Sequence, residues 1–341
     1  MLSFTLRRLA FIPLVLFGLS ILIFALLQLL APEMRAALYV KDPRQLDQID
    51  EIIRTYHLAD PIHIQYGVWL KEVFQGNLGW SETAKMPVAE AIVSYFPATF
   101  ELTILAFSLT IALGLWLGTI SAVHKDKLID HVSRVIAITG VSFPTFVIGL
   151  AFLMIFYGKF GWFPPGRASF ETQLLLGTEG FKSYTGVLTI DGLLNWNLTV
   201  ILDALKHLVL PALTLTYFEI ALLVRVTRSS MLEELGKDYV RTARAKGLSE
   251  ALVVNKHARK NALIPVITLS SILFVALLGG VAITETVFDY PGIGRWGLVA
   301  AQQFDIPGVL GFASLSALLF VIGNTAADLL YALVDPRIRI D

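Results

Sequence analysis

The chain has 341 residues, of which 55% are hydrophobic and 16% charged, its mean hydropathy is +0.69, and 27 Lys and Arg balance 27 Asp and Glu. Apolar residues gathered in long blocks at this level exclude an ordinary soluble domain and point to an all-α polytopic membrane protein, while zero net charge gives no general attraction to nucleic acid. Cysteine is absent, which excludes disulfides, thiolate chemistry and cysteine-ligated metals.

The first apolar block runs from about Leu9 to Leu30, behind the pair Arg7 and Arg8. A secretory leader shares that charged start, but its apolar core spans only about 7–15 residues and ends at a small-residue cleavage site. Here the block has the length of a membrane span and APEMR after it is a poor cleavage site, so a retained helix is expected. From Ala31 to Phe96 the chain is mixed and polar, with helix-compatible pieces near Leu46–Tyr56 and Ile62–Phe74 that read as short surface helices.

Five further spans are expected at about Thr99–Val123, Val135–Tyr157, Ile201–Val224, Leu263–Thr284 and Pro307–Leu330. Each can cross roughly 30 Å of hydrocarbon at about 1.5 Å per residue, and lipid leaves only helices to satisfy their backbones. Between the third and fourth, Lys159–Asn197 contains GWFPPG and no sustained period, which reads as an irregular outer cap. The organisation is then an N-terminal helix with an extracytoplasmic region (1–98) and a five-helix core (99–341). That core carries an outer loop near 158–199 and a cytoplasmic loop over 225–262.

Six spans put both termini on one side. Arg7, Arg8, Lys125, Lys127, Arg134, Arg225, Arg228, Lys237, Arg241, Arg244, Lys246, Lys256, Arg259, Lys260, Arg337 and Arg339 fall on one set of short segments, 16 of the 27 basic residues. Positive charge marks the cytoplasmic side, so both termini and the Asp238–Pro265 segment are expected there.

That segment, DYVRTARAKGLSEALVVNKHARKNALIP, reads as a helix, a turn and a second helix. Gly247 is suited to end the first by taking a positive φ. Ser249 is placed to cap the second, with Leu252 and Val253 on a face distinct from much of the basic surface. Pro265 favours a defined return into the membrane. A basic loop lying on anionic lipid is the competing reading of these features.

The same residues resemble the cytoplasmic signature of the inner-membrane permease subunits of ABC importers, particularly the dipeptide/oligopeptide/nickel group. LRRLAFIPLVLFGLSILIF, YFPATFELTI, DALKHLVLPALTLTY, ETVFDYPGIGRWG and DLLYALVDPRIR are similar to that group in order, over nearly the whole chain. The resemblance implies a type I ABC importer permease fold with six transmembrane helices, in a cell inner or plasma membrane. It implies that Ala243, Gly247, Leu248, Ser249, Leu252 and Pro265 couple to a separate ATPase. It further implies a homologous second permease, two ATPase subunits or domains, an extracellular or periplasmic substrate-binding protein, and short peptides or oligosaccharides as cargo. Arg244 and Lys246 flank the alanines where the broader signature has an acidic residue, which fits the peptide branch. APEMRAALY and the Lys159–Leu194 segment depart from the group.

The chain has no GxxxxGK[ST] phosphate loop, so it binds no cofactor directly under this reading, and ATP and Mg belong to the partner ATPases. Glu219, inside the fourth span, is costly to bury alone; it faces a water-filled path or pairs with Asn324 or Asp328. Lys206 and His207 are expected to snorkel at the outer end of that span. Glu101 and Glu285 are expected near the outer surface, and YPGIG reads as a turn before an outer re-entrant or surface helix. The resemblance makes the region of Glu285, Pro291 and Gly292 a support of the outer gate. Gly279, Gly280 and Ala282 would allow close helix approach. His57 with His63, and His124 with His131, form no close metal-ligand cluster. An autonomous channel or ion-coupled carrier is the other class of reading; a membrane enzyme lacks a nucleophile, base or metal constellation.

Overall fold

The computed structural model describes residues 2–40, 42, 44, 48–279 and 281–334, and the side chains among them except those of 2–9 and 328–334. Gly280, Leu46, Arg337, Arg339 and the side chains of Arg7, Arg8 and Asp328, on which parts of the sequence reading rest, lie outside this set.

Helix α1 (Leu2–Leu27) is apolar around much of its surface. It leads to α2 (Pro32–Ala36), α3 (Ile49–Thr55) and α4 (Ile62–Phe74). Ile23, Phe24 and Leu27 of α1 share a core with Ala36, Leu38, Tyr39, Leu58 and Trp69, so the region after α1 folds onto the end of its own span. Strands β1 (Trp80–Ser81) and β2 (Met86–Pro87) form a small antiparallel hairpin before α5 (Val88–Val123).

The third expected span is not one helix. It consists of α6 (Leu128–Ser142) and α7 (Thr145–Phe152), the latter running into a π-helical stretch Leu153–Lys159, and the two halves are bent by 108°. The cause lies in Ser142-Phe143-Pro144. A residue before proline is pushed into extended backbone, and Phe143 has φ −104 and ψ 136.

The outer cap contains α8 (Phe170–Leu176), capped by the Ser169 hydroxyl, and α9 (Leu188–Leu194), where the sequence suggested irregular chain. Next come α10 (Leu198–Leu235), with Pro211 inside it, and α11 (Asp238–Ala245). Helix α12 (Glu250–Leu252) continues through a π-helical turn, Val253–Ala258, into α13 (Arg259–Leu278). Helices α14 (Ala282–Val287), α15 (Ile293–Gln302) and α16 (Ile306–Val334) complete the described chain. Among the described residues, five helices have the length and apolarity of a span, or six with the bent pair taken as one.

Helices α5 and α10 form the centre of the bundle, and the sequence signal for their contact is GLWLG, a GxxxG pattern that lets two backbones approach. A Cβ on Gly118 would lie 2.5 Å from the Thr227 Cβ, and one on Gly114 would enter the Leu223 side chain. The approach expected at Gly279 takes another form: its carbonyl accepts a hydrogen bond from Ser316 Oγ of α16 at 3.2 Å.

Candidate functional site

The turn between α11 and α12 is built from its glycine outward. Gly247 has φ +75, a conformation L-residues avoid. Its N–H donates to the Arg244 carbonyl at 2.9 Å, and the Leu248 N–H reaches the Ala243 carbonyl at 3.4 Å, closing α11. Across the turn, Arg244 grips Glu250 with two contacts, Nε to Oε2 at 3.0 Å and Nη2 to Oε1 at 2.6 Å. This brace was not anticipated from the sequence; its only trace is an Arg and a Glu flanking the same glycine.

Of the residues expected to face an ATPase, Gly247, Ser249 and Leu252 are exposed, and so is Pro265, which lies inside α13. Ala243 is buried and Leu248 is half-buried, both against Met231, Val240, Val253, Val254 and Ala258. Those two therefore form the floor of the turn. Ser249 occupies the N-cap position of α12, but its hydroxyl makes no cap bond. The second short helix merges with the span behind it because the π-turn carries helical backbone from Leu252 to Arg259.

Two polar clusters anchor this loop. Glu234 accepts from Lys237 Nζ and from the Tyr239 hydroxyl, and Asn261 Nδ2 donates to Tyr239 at 3.2 Å, linking α10 to α13. Nearby, Asp130 is fully buried and accepts from Arg228 Nε at 2.7 Å, Arg228 Nη2 at 2.8 Å, Ser121 Oγ at 2.6 Å and the Asp126 N–H at 3.0 Å. Arg228 thus belongs to a bidentate pair joining α6 to α10, a stronger geometry than a surface contact.

The outer-surface reading of Glu285 is corrected by its burial, at 0% exposure. Its Oε1 accepts from the Thr99 hydroxyl at 2.5 Å and its Oε2 from the Arg295 N–H at 2.6 Å, while Thr99 Oγ1 also accepts from the Ile293 N–H at 2.8 Å. The carboxylate thereby ties α5 and α14 to the first turn of α15, whose unpaired N–H groups favour a negative charge. Gly292, in extended backbone, is where any Cβ would enter the Glu285 carboxyl group. Pro291 is half-buried in the turn before it.

Glu101 is buried as well. It pairs with Arg167 Nη2 at 3.3 Å and accepts from the Thr189 N–H at 2.8 Å, holding the outer cap to α5. Within the cap, Asp191 is fully buried and accepts from Ser183 Oγ, Thr185 Oγ1 and the N–H groups of Tyr184, Thr185 and Gly186 at 2.8–3.3 Å. Burial raises the Asp191 carboxyl, but these donors outweigh it and hold it below its ordinary value. His207 is also buried, its Nδ1 2.8 Å from the Asp203 carbonyl, so only Lys206 of that pair is exposed.

Glu219 is 6% exposed and lines a cavity of about 370 Å³ with Thr145, Leu215, Phe218, Ala276, Val281 and Thr284. Asn324, one partner suggested by the sequence, instead donates to the Phe320 carbonyl. Ala282, Ile283 and Thr284 of α14 line this cavity, and the next residue is Glu285 of the clamp.

Comparison with known proteins fits this architecture. The chain is 40% identical over 340 residues to the di/tripeptide transport system permease protein DppB of Pseudomonas aeruginosa (strain UCBPP-PA14), covering 99% of each. It is 36% identical over 336 residues to the oligopeptide transport system permease protein AppB of Bacillus subtilis (strain 168), covering 98% of each. The fold is similar to a chain of the MetNI methionine ABC transporter, solved in inward-facing conformations, with a TM-score of 0.51 at 15% identity over 72% of this chain and 96% of that one. Residues 1–103 match the N-terminal model of binding-protein-dependent transport system membrane components. With residues 114–340 matching the model of the binding-protein-dependent transport system inner membrane component, the chain belongs to that family of multi-pass permease subunits.

Proposed function

We propose that this chain is one half of the translocation path of an ATP-driven peptide importer. The observation that carries the reading is the 40% identity to a di/tripeptide permease across 99% of both chains, coupling turn and outer turn included. A homologous second permease completes the path, two ATPase subunits or domains use ATP and Mg, and a substrate-binding protein on the outer side delivers the peptide. This permease supplies no catalysis of its own. It sits among lipid in the inner membrane with both termini in the cytoplasm, as the distribution of Lys and Arg supports.

In this scheme the ATPase seats on the exposed face of Gly247, Ser249 and Leu252. Ala243 and Leu248 fix the height of that face above α10 and α13, and Pro265 fixes the path of α13 into the membrane. Closure of the ATPase pair moves the turn, and the bundle opens outward beneath the α14–α15 gate of Glu285, Pro291 and Gly292. Hydrolysis resets it.

The test is reconstitution of the complete complex in proteoliposomes with a panel of short peptides and oligosaccharides. ATP-dependent accumulation of peptides is expected. Accumulation of oligosaccharides alone, or of any solute without the ATPases, would overturn the reading.

A further inference from the structure

Among the described residues Glu219 has no ion-pair partner. Its Oε2 is buried beside the Thr110 hydroxyl, which leaves Oε1 as the oxygen toward the adjoining cavity. No Lys, Arg or His lines the adjoining cavity; its polar side chains, besides Glu219, are Thr145 and Thr284. Sequestering a carboxyl group in protein without an ion-pair partner is unfavourable, and inside a membrane protein such a group marks a ligand path.

The space beside it is far larger than one water, which occupies about 30 Å³: it is an open, mostly apolar pocket of about 370 Å³. It lies directly against Ala282–Thr284 of α14, next in sequence to the Glu285 clamp. The missing partner is therefore a donor, preferably cationic, carried by a small and otherwise apolar-tolerant ligand.

We propose that Glu219 receives the α-ammonium group of a peptide lying beneath α14, a site that rests on the peptide-import reading given above. An ammonium offers three N–H donors: one serves the carboxylate, and the Thr145 and Thr284 hydroxyls are placed on the same cavity to accept others. The apolar remainder, Leu215, Phe218, Ala276 and Val281, accepts side chains without selecting among them. The site would thus read a feature that unmodified peptides share whatever their side chains.

The test uses the complete complex in nanodiscs, free of nucleotide, treated with dicyclohexylcarbodiimide, and Glu219 modification is followed by peptide mass spectrometry. Dialanine is expected to slow modification several-fold, and N-acetyl-dialanine at the same concentration to leave it unchanged. Equal protection by both peptides, or protection by neither, would overturn the site. In proteoliposomes, Glu219→Gln is expected to lower dialanine uptake about tenfold, the loss of one charge-assisted hydrogen bond, with Glu219→Asp retaining most of it. Wild-type uptake by Glu219→Gln would overturn the site too. Failure of the wild-type complex to accumulate any peptide with ATP would instead overturn the import reading, whatever the labelling shows.

Discussion

Replacing Gly247 separates a docking turn from a loop that lies on lipid. The residue has φ +75, and a Cβ built on it meets nothing within 4 Å, so alanine there brings no clash and only a backbone cost. That cost is about 1–2 kcal/mol, a factor of roughly 5–30 in the population of the native turn. Proline is worse on two counts. Its ring holds φ near −65°, and it removes the N–H that donates to the Arg244 carbonyl at 2.9 Å. Together these exceed about 3 kcal/mol, more than a hundredfold in population. The turn is exposed, so the bundle beneath should keep its thermal midpoint in both variants. Co-purification with the ATPases and ATP-driven uptake should fall modestly in Gly247→Ala and be lost in Gly247→Pro. Normal assembly and uptake by Gly247→Pro, or equal losses in the two variants, would refute the role of the turn.

Asp130→Ala leaves the half-buried Arg228 without its bidentate partner and should destabilise the protein by about 1–3 kcal/mol, with the double change Asp130→Leu, Arg228→Met recovering most of it in thermal unfolding in nanodiscs. Thr99→Val removes the donor to Glu285 and strands the Ile293 N–H, an expected loss of about 1–3 kcal/mol; an unchanged midpoint would remove the clamp from the account of α14 and α15. For Asp191, the folded carboxyl titrates below the unfolded one, so its contribution is complete above the ordinary value of 3.8 and disappears as pH falls through the folded value. Amide exchange at Tyr184, Thr185 and Gly186 should stay slow at neutral pH and accelerate only below that value. Asp191→Asn should remove this pH dependence, and a dependence that survives the change would assign it to another group.

The bundle was legible where one signal controls a long stretch: apolar blocks located the helices, and the lysines and arginines gave a consistent side. Short-range chemistry at the ends was less so. Phe143-Pro144 breaks the third span, yet a hydropathy average cannot register a single extended residue. The π-turn Val253–Ala258 joins two elements that the sequence separates, because its register depends on packing of Val253, Val254 and Ala258 against Met231 and Val240. The carboxylates were the hardest to read. Glu101, Glu219 and Glu285 all lie beside apolar sequence, and what separates them is the donor each meets: Arg167, the Thr110 hydroxyl, and the start of α15. Arg167 lies 66 positions from Glu101, and Thr99 lies 186 from Glu285, so no local pattern carries them.

Helix α13 runs from the Gly247 turn to the neighbourhood of α14. At its first end, Ala258 and Ala262 share a core with Ala122 at the end of α5, Met231 on α10 and Ala243 under the turn. A close-packed core transmits displacement instead of absorbing it, so the turn cannot shift without carrying the ends of three long helices. At its other end α13 stops at Gly279, and within three residues α14 begins, with one face on the Glu219 cavity and Glu285 in the clamp. The bent α6–α7 pair meets the same helix from the side, where Gly149 admits Phe288 at 3.1 Å from a built Cβ. A displacement of that shared core is thus carried along α13 as a body.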